Sequence, residues 1–349
     1  MTKLRWGILG TARIARKNWK AIWHSGNSTL IAVASRDVER SRQFVAECQE
    51  ETPFDPPPLA LGSYEELVAS RDVDAVYLPI PTAFRKEWVV RAAEAGKHVL
   101  CEKPCTASVA DLQQMTEACR RNRVQFMDGV MFMHNPRLNR IRHALDNGKS
   151  VGQIRRITSH FSFFSEDEFR QRNIRGDGAL EPLGCLGDLG WYCIRFALWA
   201  VNWRMPREVS GRILSQNCNN HNRAPVPFDF SGELIFDDDV SSGFFCSFLA
   251  AYGNWATVTG TQGYVRVPDF VLPARSNNGA LDINGELSDN SVIDPQTTQE
   301  TNMIRAFADR VLSGKLNEAW PEWALKTQIV ANACLDSALA GQAVSLLRY

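Results

Sequence analysis

The chain has no CxxC pair, no excess of either charge, no internal repeat and no apolar run long enough to cross a membrane. Its 349 residues carry 39 Lys and Arg against 39 Asp and Glu. That balance offers a polyanion such as nucleic acid no field to follow, so the expected partner is a small molecule. Nine cysteines stand at 48, 101, 105, 119, 185, 193, 218, 246 and 334. Odd in number and scattered, they fit reduced thiols rather than a disulfide framework or a zinc site, and they point to the cytoplasm. His134 and His160, the histidines nearest the motifs below, lack metal-ligand spacing and read as structural, so no metal is expected. The most apolar late stretch, Trp191 to Trp203, is broken by Arg195 and is too short for a hydrocarbon core of about 30 Å. Met1 to Gly10 shows no apolar segment followed by a small-residue cleavage site and reads as a first strand, so neither a signal peptide nor a membrane segment is expected.

What is present is an ordinary globular composition, 44% apolar and 22% charged, in a chain long enough for two cores. From Leu4 to about Met127, short aliphatic runs alternate with amphipathic helical stretches: LRWGILG, STLIAVAS, DVDAVYLPI, HVLCEKP and VQFMDGV, with ARIARKNWKAIW, DVERSRQFVAECQ, EWVVRAAEAG and ADLQQMTEACRRN between them. Single helices between strands imply right-handed βαβ crossovers and a doubly wound parallel sheet of the Rossmann type over residues 1–127. The prolines at 53, 56, 57 and 58 mark a surface loop. Beyond Asp128 the rhythm changes to longer β-rich segments separated by turn signals, which predicts an α+β domain over 128–349 with a large, mostly antiparallel, open sheet. Residues 273–299, rich in Asn, Asp and Gly, read as a long loop, and two helices close the chain.

The first strand ends in GILGTARIA, where Gly10, Ala12 and Ala15 fall at the spacing of the dinucleotide fingerprint. Gly10 makes the tight turn, a small residue at 12 admits the pyrophosphate, and the helix start at Ala12, Arg13 and Ile14 aims N–H groups at phosphate. The second strand ends in Ser35 and Arg36, with no acid at the place where an NAD-selective site holds the ribose 2′-hydroxyl. A hydroxyl and a guanidinium suit a 2′-phosphate, which favours NADP(H). The alternative is NAD(H), with Arg36 against the adenine and Asp37 turned to the ribose. Glu102, Lys103 and Pro104 follow directly after the strand HVLC, which puts Lys103 at the sheet edge where α/β proteins bind ligands, although a Lys-Pro pair also simply ends strands. In GDLGWYCI, Asp188 and Tyr192 are spaced to share one helix face, and a nearby cation such as Lys103 would favour the phenolate. A helix N-cap for Asp188 and a packed aromatic for Tyr192 are the alternative readings.

These motifs together resemble the Gfo/Idh/MocA family of dinucleotide-dependent oxidoreductases, in particular its glucose-fructose oxidoreductase and dimeric dihydrodiol dehydrogenase branches. The likeness rests on GILGTARIA, VASRD at 33 to 37, DVDAVYLPIPT at 72 to 82, AAEAGKHVLCEKP at 92 to 104, GAL at 178 to 180, GDLGWYCI and TGTQGYVRV at 259 to 267. It implies that Lys103 lies near nicotinamide and substrate with a cis bond to Pro104, that Asp188 binds substrate, and that Tyr192 is the catalytic proton donor and acceptor. Cofactor contacts are then expected from Gly10, Thr11, Ala12, Arg13, Ile14, Ser35, Arg36, Arg40, Ile80, Pro81, Thr82, Glu102 and Lys103. The implied activity is NADP(H)-dependent interconversion of alcohol and carbonyl on a sugar, sugar derivative or cyclic diol, in a homodimer or homotetramer. An NAD-dependent or cofactor-retaining enzyme and a non-catalytic nucleotide-binding regulator are the rival readings. The chain departs from the family's PNxxH at Pro81, Thr82 and Arg85, and from its EAFMYRFHP over Asp128 to Pro136. It also inserts EPLGCL, Glu181 to Leu186, which is expected to lengthen an entrance loop.

Overall fold

The computed structural model describes residues 2–217, 224–273, 279–289 and 294–346. Cys218 of the sequence reading lies outside them, as do 274–278 and 290–293 of the expected loop. Backbone packing divides the chain into two compact units, one built from residues 1–106, 110–135 and 294–324 and the other from 107–109, 136–293 and 325–349.

The first unit begins β1 Leu4–Leu9, α1 Arg13–His24, β2 Ser28–Ala34, α2 Val38–Glu51, β3 Leu59–Leu61, α3 Tyr64–Ala69, β4 Ala75–Leu78, α4 Thr82–Glu94, β5 His98–Cys101, α5 Val109–Arg121 and β6 Phe126–Asp128. The strands pair in the order β3-β2-β1-β4-β5-β6, all parallel. This is the doubly wound arrangement that the alternation of strands and helices implies. Helices cover both faces, so Ile8, Val33, Val76, Leu78, Val99 and Leu100 are wholly buried and the strands read as aliphatic runs without alternation. Strand β3 is an addition to the sequence reading: only three residues long and following the proline loop, it carries no period to detect.

In the second unit come α6 Arg137–Asp146, β7 Ile154–Ser162, α7 Asp167–Arg172, α8 Trp191–Ala200, β8 Glu208–Gln216, β9 Pro227–Ile235, β10 Ser241–Ser247, β11 Gly253–Gly260, β12 Tyr264–Val267, β13 Ala280–Ile283 and β14 Glu286–Asp289. Two helices follow, α9 Gln299–Leu312 and α10 Ala319–Ala340, and then β15 Val344–Ser345. The nine strands form one sheet, β14-β13-β12-β11-β7-β10-β9-β8-β15, antiparallel except for β7 against β10. Along β7 the pattern alternates: Ile157, Ser159 and Phe161 are buried, whereas Arg156, Thr158 and His160 are half-exposed on the opposite face. That opposite face also carries Trp255, whose ring stacks on His160 with centroids 5.6 Å apart.

The reading of 273–299 as a single long loop is overturned by the hairpin β13–β14. Its two turn residues, Asn284 and Gly285, have φ of 55° and 90°, the left-handed pair that a two-residue hairpin needs. Four-residue strands on a polar background are too short to show a hydrophobic period, and the Asn-Gly pair is the signal that marks them.

Helix α9 returns to the first unit. Phe307, fully buried, meets Trp6 of β1 at 5.0 Å between centroids and stacks on Trp320 at 6.3 Å. Lys17 Nζ donates to Glu300 Oε1 at 2.7 Å and Asn27 Nδ2 to the Arg305 carbonyl at 3.0 Å. Replacing Phe307 by Ala should cost the first unit about 3 to 5 kcal/mol, as large-to-small core changes do. Urea denaturation measures it, and a loss no larger than that of an exposed control such as Leu339→Ala would contradict the docking described.

Candidate active site

Gly10 turns the chain from β1 into α1 with φ of 116°, and its N–H donates to the Ala34 carbonyl at 2.8 Å. A side chain there would meet two obstacles: the left-handed φ, and Ile80 Cγ2, which a Cβ would approach to 3.0 Å. Ala12 caps α1 in an extended conformation with no side-chain cap, and Ala12, Arg13 and Ile14 are exposed. The first-turn N–H groups of α1 therefore face outward without a side-chain acceptor, the arrangement that binds a pyrophosphate. Methyl-bearing Ala12 is accommodated because its φ of −67° is ordinary.

At the end of β2 the expected residues divide. Ser35 is buried, donates its hydroxyl to the Asp37 carbonyl at 2.9 Å and accepts from Asp37 N–H at 3.2 Å, so its polar atoms serve the local turn. Asp37 caps α2 by accepting from Glu39 N–H at 2.9 Å through Oδ1. Arg36 and Arg40 are exposed, and their charges partly offset the rise that burial imposes on the Tyr64 phenol. Tyr64, which sequence reasoning missed, thus lies within electrostatic reach of both guanidinium groups. Ile80 and Thr82 are buried and Pro81 is half-exposed.

Lys103 is half-buried two residues beyond β5, and its bond to Pro104 is cis, as the resemblance implies. Next to it, Glu102 is 8% exposed, and a buried carboxylate must be satisfied. Tyr77 Oη donates to Glu102 Oε1 at 2.5 Å, Lys103 N–H donates to Oε2 at 3.3 Å, and Asn18 Nδ2 donates to Tyr77 Oη at 2.8 Å. Burial, followed by the charge of Glu102, holds the Tyr77 phenol well above its ordinary pKa, so it remains a neutral donor. A chain of hydrogen bonds thus runs from α1, which carries the fingerprint turn, to the backbone of Lys103. Gly129 leaves room for it: a Cβ there would come within 3.3 Å of Glu102 Oε1.

In the second unit, Asp188 and Tyr192 do not share an uninterrupted α-helix. Leu186–Gly190 winds as a π turn and α8 begins at Trp191, so their relation is not the regular one-turn spacing; such turns recur at functional sites. Gly190 allows the turn to press on β10, since a Cβ would meet Leu186 Cδ1 at 2.9 Å and Cys246 Sγ at 3.2 Å. The inserted Glu181 to Leu186 does not form a solvent-exposed entrance loop. Leu183, Cys185 and Leu186 are buried and lead into the π turn, with Cys185 Sγ 3.9 Å from Cys246 Sγ.

Asp188 pairs with Arg175, Arg175 Nε lying 2.8 Å from Asp188 Oδ2, with the arginine side chain 42% and the aspartate side chain 15% exposed. Arg175 projects from a 3-10 turn, Ile174–Gly176, that Asn173 caps. The guanidinium pKa is raised chiefly by the charge of Asp188, with Glu181 and Tyr192 adding to it. A carboxylate, a cation and a phenol therefore act on one another here. Arg175 escaped the sequence reading because it lies outside every motif. Tyr192 is 6% exposed and packs against Phe161 at 5.7 Å. His160 donates to or accepts from Ser162 Oγ at 2.7 Å on the sheet, and His134 rests edge-on to Trp320. Among the described residues no group of three His, Cys, Asp or Glu could hold a metal, and no helix is long and apolar enough to cross a membrane.

Residues 4–130 match the model of an oxidoreductase family with an NAD-binding Rossmann fold, and residues 138–266 match the GFO/IDH/MocA C-terminal domain. D-xylose 1-dehydrogenase (NADP(+)) 2 of Haloferax volcanii is 29% identical over 98% of this chain and 100% of its own length. The trans-1,2-dihydrobenzene-1,2-diol dehydrogenase of Xenopus laevis is 26% identical, covering 85% of this chain and 83% of its own. A 3-ketoreductase from Actinomadura kijaniata, solved with NADP and TDP-benzene, superposes with a TM-score of 0.83 at 25% identity, covering 96% of this chain and 98% of its own.

Proposed function

The chain belongs to the Gfo/Idh/MocA family of oxidoreductases, and from that footing we propose that it interconverts an alcohol and a carbonyl on a sugar, sugar derivative or cyclic diol, with NADP(H) as cofactor. The observation that carries the reading is the Asp188–Arg175 ion pair beside Tyr192 at the head of a buried helix. Held by the guanidinium, Asp188 keeps its second oxygen's direction defined and accepts from a substrate hydroxyl. Tyr192 takes the proton of the reacting hydroxyl in oxidation and returns it in reduction, a transfer that a positive charge nearby assists by favouring the phenolate. Lys103 polarises the reacting oxygen. The bound nicotinamide supplies or accepts hydride at the carbon bearing that oxygen.

The preference for NADP(H) is supported by exposed Arg36 and Arg40 at the end of β2. The relative from Haloferax volcanii, named as NADP-dependent, and the Actinomadura ketoreductase solved with NADP agree with it. Two relatives act on free sugar and on dihydrodiol respectively by name, which sets the substrate panel. We place a homo-oligomer contact on the half-exposed sheet face of His160, Phe245 and Trp255.

Assayed on a panel of aldoses and cyclic diols, Tyr192→Phe should lower kcat by on the order of 10² to 10⁴, the contribution of a positioned proton-transfer group. Full turnover in that variant, or in Lys103→Met, would remove the assignment. For Arg36→Ala, titration with each nucleotide should show affinity for NADP⁺ falling by roughly tenfold to a hundredfold, as loss of a charged hydrogen bond of about 1.5 to 3 kcal/mol implies, with NAD⁺ little changed. Equal losses for both nucleotides would overturn the 2′-phosphate reading. Sedimentation of Trp255→Asp should give a monomer where the native chain gives a dimer or tetramer, and an unchanged mass would exclude this face.

A further inference from the structure

Arg85, the residue at the position where the resembled PNxxH pattern carries histidine, is buried, with 5% exposure. It stands in the first turn of α4, at the carboxyl edge of the parallel sheet. A guanidinium has five N–H donors and keeps its charge, so burying one demands acceptors in fixed directions. Arg85 finds them on peptide carbonyls. Its Nε donates to Ile80 O at 2.8 Å, while Nη1 donates to Glu102 O at 3.1 Å and also to Pro104 O. The first acceptor belongs to the turn after β4, and the other two belong to the turn after β5.

The last two carbonyls bracket Lys103. One side chain therefore holds the peptide before the lysine and the residue after it, while the lysine's own N–H is held from Glu102 Oε2. The same guanidinium ties this turn to Ile80, whose side chain lies against the Gly10 turn of the nucleotide fingerprint. A planar fork can serve three such acceptors at once. A lysine ammonium offers compact, non-planar donors, and an imidazole has two nitrogens pointing apart, so neither reproduces the pattern.

We propose that Arg85 is a positioning residue that fixes the backbone on both sides of Lys103, and so the line along which its ammonium reaches the reacting oxygen. The proposal rests on the reading of Lys103 given under the proposed function, and it adds that this chain replaces the family's histidine by a guanidinium acting entirely through the main chain. No contact of Arg85 with substrate or nucleotide is required.

Two measurements on the full chain test it, one independent of any substrate. Reductive ¹³C-methylation labels the lysines, and the Lys103 resonance is identified by its absence from Lys103→Arg. In Arg85→Gln that resonance should shift and broaden while resonances of remote lysines such as Lys149 stay in place; an unmoved Lys103 signal overturns the proposal. In turnover with NADP⁺ and the best aldose or diol of the panel, Arg85→Gln should lose on the order of 10² in kcat, the scale of a misplacement of about 1 Å, with KM for NADP⁺ changed by less than about threefold. Arg85→Lys should recover only part of it, and millimolar guanidinium should partly restore Arg85→Ala.

The decisive comparison is the double variant. If Arg85 acts through Lys103, adding Arg85→Gln to Lys103→Met lowers turnover no further, whereas multiplying losses would mean a separate structural effect and would refute the positioning role. Should Arg85→Gln melt below the assay temperature, the same comparison is made with Arg85→Lys. Full turnover in Lys103→Met alone would end the reading of Lys103 instead, leaving the resonance shift to decide whether Arg85 sets its backbone.

Discussion

A carboxylate buried at the end of a parallel strand governs the first unit. Glu102 cannot be left unsatisfied in a protein interior, where desolvating an ionised group costs far more than a single neutral hydrogen bond returns. Its partners come from different parts of the fold: the phenol of Tyr77 from β4, and the N–H of the following lysine. Tyr77 in turn is held by Asn18 of α1. Meeting the needs of one acid therefore links α1, β4 and the turn after β5 through one run of hydrogen bonds. The absence of a side chain at Gly129 is part of the same requirement, because even a Cβ there would crowd the carboxylate.

The second unit solves a different problem, which is how to present Asp188 and Tyr192 at the start of a helix whose every residue, Arg195 included, is buried. Trp191, Cys193, Ile194, Phe196 and Leu198 are all buried around Tyr192, so α8 is embedded on every side. The π turn before α8 widens the winding locally and lets glycine backbone rest on β10, while Arg175 supplies the counter-charge from a separate turn. Electrostatics here is local and half-exposed, so it is moderate in strength and works through orientation more than through net attraction.

Much of this could be read in the chain itself. Period and length identify every strand of the parallel sheet except β3, and the fingerprint turn, the Lys103–Pro104 strand end and the Asp188–Tyr192 pair stand out by residue type and place. What escapes is whatever depends on distance in sequence. Arg175 belongs to no motif and is brought to Asp188 only by a capped 3-10 turn. Ser35 looks like a phosphate ligand in one dimension, and its hydroxyl is bonded to Asp37 of the local turn. Arg85 looks like a mere departure from a pattern until its three carbonyl acceptors are seen together. The inserted EPLGCL reads as a loop because Pro and Gly break periodicity, yet its Leu and Cys side chains are core. The hairpin at Asn284–Gly285 was announced by its turn residues alone, since its short strands carry no pattern.

Helix α9 has a consequence for the newborn chain. As the polypeptide leaves the ribosome, the strands of the parallel sheet are complete by Asp128, but the aromatic ring that packs on Trp6 arrives only with Phe307, after all but one of the strands of the other sheet have been made. Domains ordinarily complete themselves in order of synthesis. Here the contact of Trp6 with Phe307 closes only after most of the chain has been made, so the earliest-made sheet completes its packing at a time set by where α9 falls in the sequence rather than by the size of either unit.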